Sequence, residues 1–148
     1  MSMDTLFSIC NFAVLPFWIL LLFAPGWTWT QRIVHTFMLP MALAVVYLVL
    51  ALTNFFGGEG GFGSLEGVMT LFEEPGAVMA GWIHYLVFDL FIGAWEVRDA
   101  RRLKIPHLAV MPCLVFTFML GPVGLLLYLI LRWSMRRAFV LDETPAGG

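Results

Sequence analysis

The stretch GAVMAGWIHYLVFDLFIGAWEVRDARR, residues 76–102, decides the fold of this chain because its apolar part is long enough to cross a bilayer. Two ionisable side chains, His84 and Asp89, lie inside that apolar part. A carboxylate at the centre of a membrane helix costs ~2.5 kcal/mol or more, so such a residue is usually paired or functional. The stretch therefore predicts a membrane span that carries the first candidates for chemistry.

Helix geometry separates these candidates. Positions seven apart on a helix point within ~20° of each other, so Trp82, Asp89 and Glu96 should share a stripe. Tyr85, four residues before Asp89, is placed to hydrogen-bond it, whereas His84 lies ~140° round. We therefore expect Asp89 to face inward and to bond Tyr85 or a neighbouring helix. A shared His84–Asp89 site requires other helices to close around the span.

The composition is that of an integral membrane protein. Hydrophobic residues make up 61% of the 148 residues and charged residues 12%, against roughly 25% charged residues in soluble domains. The length leaves room for a single transmembrane domain, and a net charge of -2 offers no basic field for nucleic acid. Cys10 and Cys113 lie in different apolar runs with no CxxC spacing, so neither a redox motif nor a zinc site is indicated.

Four apolar runs predict an all-α, four-span bundle with both termini on one side. Pro112 and Gly121-Pro122 should kink or break the last span. In the first span, Asn11 should face another helix, and packing is favoured over a ligand contact. In the second, His35 is expected to be interfacial and hydrated. The predicted spans are residues 6–24, 33–53, 77–98 and 107–132.

The segments outside the spans are also informative. Residues 64–74 carry apolar side chains at helical spacing after Ser64, a good N-cap, and predict a short amphipathic helix on the bilayer surface. It is either an interfacial connector or a lid that brings Glu66 near a site. Residues 140–148 should form a mobile tail.

The distribution of the basic residues indicates which side of the membrane the loops face. Residues 96–107, EVRDARRLKIPH, are expected to form a solvated loop. Together with Arg32 it would place five Lys and Arg on one side of the membrane, against Arg132, Arg136 and Arg137 on the side of the termini. The positive-inside rule then favours cytoplasmic loops.

Several short motifs carry a resemblance to a known family. WIHYLVFDLF, followed by Asp99 and preceded by SLEGVMTLF, VLPFW and AP, with GPVG in the last run, resembles the abscisic-acid-deficient-four-like family of small four-span membrane proteins. The resemblance implies a plastid-type or bacterial inner-membrane protein related to the conversion of violaxanthin into the allenic xanthophyll neoxanthin. It selects His84, Asp89 and Asp99 as site residues, while Glu96 stands outside the pattern.

Missing motifs narrow the chemistry. Three histidines without HxxHH or ExxH spacing do not predict a di-iron centre, and no dinucleotide, kinase or nucleophile-elbow motif occurs. We therefore expect neither metal nor cofactor. What remains is proton transfer on an apolar substrate, for which a buried carboxylic acid and a neutral imidazole suffice.

The resulting hypothesis is a membrane-embedded, carotenoid-related isomerase that opens an epoxide by proton transfer. His84, Asp89 and Asp99 are the candidate catalytic residues, and Trp82, Tyr85, Glu66 and Asn11 the candidate substrate-binding residues. Its expected partners are a carotenoid or similar apolar ligand, membrane lipids, and a homo-oligomer or larger membrane complex. The alternative is a non-catalytic protein that binds a carotenoid or lipid, or a small subunit of a pigment complex.

Overall fold

The apolar runs form α-helices, as their length and spacing predict. The computed structural model describes residues 2–34, 36, 38–56 and 60–141, and that part of the chain contains helices and connecting turns but no strand. The all-α prediction is confirmed. The helices are α1 (Met3–Phe23), α2 (Thr28–Ile33), α3 (Met38–Asn54), α4 (Leu65–Leu71), α5 (Pro75–Arg102), α6 (His107–Leu120) and α7 (Pro122–Arg136).

Within the described part of the chain, three stretches are long and apolar enough to cross a membrane, and they correspond to the first three predicted spans. They are Met3–Phe23, Thr28–Asn54 and Pro75–Arg102. The 21 residues of α1 rise about 31 Å, which matches the ~30 Å hydrocarbon core of a bilayer. The expected interfacial position of His35 and most of the expected mobile tail, residues 142–148, lie outside the described residues.

The predicted fourth span is not confirmed, because residues 107–136 form two helices. They contain 14 and 15 residues and rise only about 21 and 22 Å. The break is at Gly121, whose φ of 42° lies in the left-handed region that favours glycine. Pro122 then occupies the first turn of α7, where a missing N–H costs nothing.

The two helices fold back on each other. A Cβ atom at Gly124 would overlap with the backbone of Thr117, so α7 returns along α6. At the other end, the guanidinium group of Arg136 donates a hydrogen bond to the carbonyl of Lys104, just before α6 begins. We call this pair of helices the α6–α7 hairpin. Its two ends lie together, and its tip is the turn at Gly121.

By its internal contacts the chain divides into two compact units. The first contains Met1–Leu15 and Phe37–Phe88, and therefore includes α3, α4 and the first half of α5. The second contains Pro16–Thr36 and Asp89–Gly148, and includes α2, the second half of α5 and the α6–α7 hairpin. Membership of a single transmembrane domain stays a prediction.

The segment between α3 and α5 forms the short helix that its sequence predicts. Ser64 is the N-cap of α4, and its hydroxyl accepts a hydrogen bond from the Gly67 amide at 3.0 Å. The amide of Gly61 in turn donates to the carbonyl of Gly67 at 2.9 Å, which folds the glycine-rich chain onto α4. This local fold sets the positions of Phe62 before the helix and Phe72 after it.

Candidate functional site

A cavity walled by aromatic rings lies in the first unit. It borders on α3, the segment around α4 and the first turns of α5, and it has a volume of about 550 Å³. We call it the aromatic cavity. Its lining comprises Tyr47, Phe55, Phe62, Phe72, Val78, Gly81, Trp82, His84 and Tyr85.

One face of α5 forms the floor of the aromatic cavity. Val78, Gly81, Trp82 and Tyr85 follow the spacing i, i+3, i+4, i+7, which places them on a single side of a helix. Gly81 lets the ring of Phe72 approach the helix, since a Cβ atom there would lie 2.8 Å from Cε1 of that ring. The spacing of α5 and the turn after α4 therefore create the cavity together.

His84 stands at the wall of this cavity with its side chain exposed. Its ring packs against Phe88, with centroids 4.5 Å apart, and against Tyr47 at 5.9 Å. These contacts orient the imidazole while leaving it accessible. A ligand in the cavity would meet His84 as one of few groups that can exchange a proton, along with the hydroxyls of Tyr47 and Tyr85.

Trp82 and Asn11 form a hydrogen-bonded pair at the edge of the aromatic cavity. The indole Nε1–H donates to Oδ1 of Asn11 at 3.2 Å, and Nδ2 of Asn11 donates to the carbonyl of Phe7 at 2.8 Å. The expected packing of Asn11 against another helix is confirmed. The rings of Phe7 and Tyr85 each lie 5.2 Å from that of Trp82, so this indole is held on several sides.

A second, smaller cavity of about 360 Å³ lies on the other side of Trp82. Its lining comprises Met3, Asp4, Phe7, Glu73, Pro75, Val78, Met79 and Trp82. Glu66 lines neither cavity and is exposed in the first turn of α4. Its proposed contact with substrate stays a prediction, and Phe62 and Phe72 are the residues that bring this segment to the aromatic cavity.

Asp89 is buried in the second unit, as expected for a carboxylate in a membrane helix. Its side chain lies against the tip of the α6–α7 hairpin, where a Cβ atom at Gly121 would be 2.7 Å from Oδ1. The exposure of His84 and the burial of Asp89 agree with their ~140° separation on α5. Since His84 belongs to the first unit and Asp89 to the second, their joint action stays a prediction, as does the Tyr85–Asp89 bond.

Asp99 is the centre of a buried ionic network. Its Oδ2 accepts hydrogen bonds from the hydroxyl of Tyr128 and from Nε of Arg132, both at 2.7 Å, and its Oδ1 pairs with Arg102 at 2.7 Å. Arg132 also donates to the carbonyl of Val140 at 2.8 Å. These contacts favour a structural role for Asp99, and its catalytic role stays a prediction that only the resemblance carries.

Residues 96–102 are therefore not the solvated loop that was expected. The helix α5 continues to Arg102, and Glu96 and Asp99 are 0% and 4% exposed. Arg132, expected among the topology-setting charges, is 1% exposed. The expectation fails because buried partners satisfy these charged groups, which a linear sequence does not reveal.

Glu96 and Thr117 form a contact that sequence reasoning missed. The Thr117 hydroxyl donates to the two carboxylate oxygens of Glu96 at 3.0 and 3.1 Å, deep in the second unit. The only sequence signals were the position of Glu96 seven residues after Asp89 and a lone hydroxyl in an apolar run. Among the described residues, no group of three His, Cys, Asp or Glu side chains is arranged to hold a metal ion.

The family is decided by a sequence model described as ABA DEFICIENT 4-like, which matches residues 5–128. The chain belongs to the ABA DEFICIENT 4-like family. The matched range includes the aromatic cavity, Asp89 and the ionic network around Asp99 up to Tyr128.

The chain is also similar to the protein ABA DEFICIENT 4, chloroplastic, of Arabidopsis thaliana. It is 26% identical to this chain over 139 residues, a match that covers 87% of the chain and 61% of the relative. The chain thus spans less than two thirds of that protein's length. No solved structure matches the chain.

Proposed function

We propose that this protein acts on a xanthophyll within the membrane and holds one cyclic end group of it in the aromatic cavity. The observation that carries the proposal is the aromatic cavity itself, found in a chain of the ABA DEFICIENT 4-like family. Ligand cavities in proteins commonly measure 300–1,000 Å³ and combine apolar walls with a few polar groups. At about 550 Å³, the aromatic cavity falls in that range.

The lining suits an end group that is apolar except for oxygen substituents. Six of its side chains are Phe, Trp or Tyr, whose flat faces pack well against a ring and the start of a polyene. The hydroxyls of Tyr47 and Tyr85 and the imidazole of His84 can bond a ring hydroxyl or an epoxide oxygen. The remainder of a long polyene would extend into lipid.

The proposed reaction is the isomerisation of an epoxide end group to an allene. A base removes a proton from the polyene carbon next to the ring, the electron pair of that C–H bond forms the second double bond of the allene, and the epoxide C–O bond breaks. An acid delivers a proton to the released oxygen. One proton leaves and one arrives, so the product has the formula of the substrate and no oxidant is consumed.

His84 is the proposed base, because it is accessible at the cavity wall and a neutral imidazole can accept a proton. Asp89, which the resemblance selects together with His84, is the proposed acid. Trp82, held by Asn11, is the proposed platform for the substrate ring.

The alternative is a protein that binds a carotenoid or lipid without changing it, alone or as a subunit of a pigment complex. The apolar character of the lining favours this alternative as much as the first, since pigment binding needs little more than apolar contacts. The two proposals differ in turnover.

The experiment is incubation of the purified protein, in lipid nanodiscs, with violaxanthin, followed by chromatography and mass analysis of the pigment. The isomerase proposal expects a product of unchanged mass with altered absorbance, formed in many equivalents per protein. Stoichiometric, unchanged pigment would support the binding alternative. Phe12→Leu, on an exposed face of α1, is the control for a substitution outside the aromatic cavity and should give the same result as the unaltered protein.

A further inference from the structure

Among the residues that the structure describes, the exposed charges are segregated by sign. All eight Lys and Arg residues belong to the second unit. In the first unit, the described acidic residues are all exposed, namely Asp4, Glu66, Glu73 and Glu74. In the described part of the second unit the carboxylates are buried, so its exposed charges are all positive.

The two long helices α1 and α5 both have acidic residues at or just before their first turn, and α5 also ends on basic residues. Asp4 lies in the first turn of α1, and Pro25 follows its other end. Glu73 and Glu74 precede α5, and Arg101 and Arg102 close it. A helix that crosses a bilayer has its ends on opposite sides, so the acidic residues before α5 and the basic residues at its end lie on different faces of the membrane.

Contacts within the second unit collect the basic residues on one face. Arg101 donates to the carbonyl of Pro25 at 3.2 Å, which joins the basic end of α5 to the end of α1. Arg136 donates to the carbonyl of Lys104, so the far end of the α6–α7 hairpin reaches the same face. These contacts bring Arg101, Lys104 and Arg136 to the same end of the second unit, although Arg136 was expected on the opposite side from the other two.

Two tryptophans indicate how deep the neighbouring basic side chains lie in the membrane. The guanidinium of Arg32 lies 5.6 Å from the ring of Trp29, and that of Arg137 lies 5.2 Å from the ring of Trp133. Both indoles are exposed, and exposed indoles at the ends of membrane helices sit at the level of the headgroups. We define the basic rim as the exposed residues Arg32, Arg101, Lys104, Arg136 and Arg137.

We propose that the basic rim binds the headgroups of anionic phospholipids on the cytoplasmic face of the membrane, where the α6–α7 hairpin both enters and leaves the bilayer. The positive-inside rule assigns a face that carries a cluster of exposed basic residues to the cytoplasm. Guanidinium groups match phosphate oxygens in pairs, and cations at headgroup depth attract anionic lipids. This proposal does not depend on the proposed carotenoid function.

The position of the hairpin is tested by cysteine labelling. Cysteines are introduced singly at Gly26, Gly63 and Leu141 in a chain carrying Cys10→Ala and Cys113→Ala. Both glycines are sites where an added Cβ meets nothing within 4 Å, and Leu141 is exposed. A membrane-impermeant maleimide should label Gly63→Cys in bacterial spheroplasts, and Gly26→Cys and Leu141→Cys only in inverted vesicles. Labelling of Gly26→Cys and Leu141→Cys from opposite faces, as four spans require, would overturn the proposal.

Lipid binding is tested with vesicles of mixed phosphatidylglycerol and phosphatidylcholine. After gentle extraction, mass spectrometry should find phosphatidylglycerol enriched on the protein. The variant Arg32→Gln/Lys104→Asn/Arg137→Asn should lose that enrichment severalfold, while the control Glu66→Gln/Glu73→Gln/Glu74→Gln keeps it. Asparagine is chosen at Lys104 and Arg137 because both have positive φ, which asparagine tolerates.

Salt provides an independent measurement on the unaltered protein. Headgroup binding by exposed cations should weaken as ionic strength rises. If the triple variant does not fold, the wild-type enrichment must still fall severalfold with added salt. An enrichment of phosphatidylglycerol that changes neither with the substitutions nor with added salt would overturn the proposal.

Discussion

Gly124 in α7 lies directly against Thr117 in α6, with no room for a methyl group between them. A Cβ atom at Gly124 would overlap with the backbone nitrogen and Oγ1 of Thr117. The same Thr117 hydroxyl donates to Glu96 in α5 at 3.0 Å. One glycine therefore allows two helices of the hairpin to meet, and the threonine ties them to the third helix.

Gly124→Ala should destabilise the protein in spite of the better helix propensity of alanine. Overpacking in a well-filled interior costs about 1–3 kcal/mol, which exceeds the roughly 1 kcal/mol that alanine gains over glycine in a helix. We expect a lower midpoint of thermal unfolding in detergent. Gly26→Ala, where the added atom meets nothing within 4 Å, should change it little. An equal or higher midpoint for Gly124→Ala would contradict the close packing of the hairpin.

The network around Asp99 leads to a second prediction. Arg132→Met should destabilise the fold strongly, because removing one partner of a buried ion pair leaves the other charge uncompensated at a cost of about 3–5 kcal/mol. Tyr128 and Arg102 still bond Asp99 in this variant, so we expect a loss of stability near the lower end of that range. The double variant Asp99→Asn/Arg132→Met should be less destabilised than the sum of the singles.

Chemical denaturation of the four proteins in this cycle measures the coupling. Arg32→Met, at an exposed site, is the control for loss of an arginine. Strict additivity of Asp99→Asn and Arg132→Met would mean that the pair does not hold the hairpin to α5.

Local pattern predicted the helices well, and it failed where distant contacts decide. Long apolar runs specified α1 and α5, and Ser64 specified the start of α4. Gly121-Pro122 predicted an interruption of the last helix, but the same dipeptide is compatible with a kink in one helix or with a reversal of the chain direction. Only the contact of Gly124 with Thr117 distinguishes the two, and it depends on the packed structure.

The candidate site shows the same division. Trp82 and Tyr85 were identified because they stand seven and four residues before Asp89, which places them near it on a helical face. Tyr47, Phe55, Phe62 and Phe72 were not, since aromatic residues are frequent throughout this chain and composition does not show which of them converge. For the charged residues the sequence led to the wrong prediction. Glu96, Asp99 and Arg132 were expected in contact with solvent because they are charged, and they are buried with partners.

A third prediction concerns the volume of the aromatic cavity. Gly81→Leu should reduce pigment occupancy at least about tenfold, equivalent to ~1.4 kcal/mol, because the new side chain projects toward the ring of Phe72 and into the cavity. Pigment per protein is measured by absorbance after purification. Gly63→Leu, at an open surface site, is the control. Full occupancy in a folded Gly81→Leu protein would place the pigment elsewhere.

The last prediction separates catalysis from binding. If His84 and Asp89 exchange protons with the substrate, His84→Gln and Asp89→Asn should each lower turnover roughly 10²-fold or more. The double variant should be scarcely slower than the slower single, because groups that serve one step are not additive. Pigment occupancy should persist in all three, since the lining is mainly aromatic.

His107→Gln supplies the matched control for His84→Gln. His107 belongs to the second unit, where its Nε2 lies 2.8 Å from the carbonyl of Leu22, and it lines neither cavity. Its substitution should leave turnover per folded molecule unchanged. Wild-type turnover in a folded His84→Gln protein would instead remove the acid–base assignment. His84 would then be a packing residue whose ring, between Tyr47 and Phe88, completes the wall of a binding cavity.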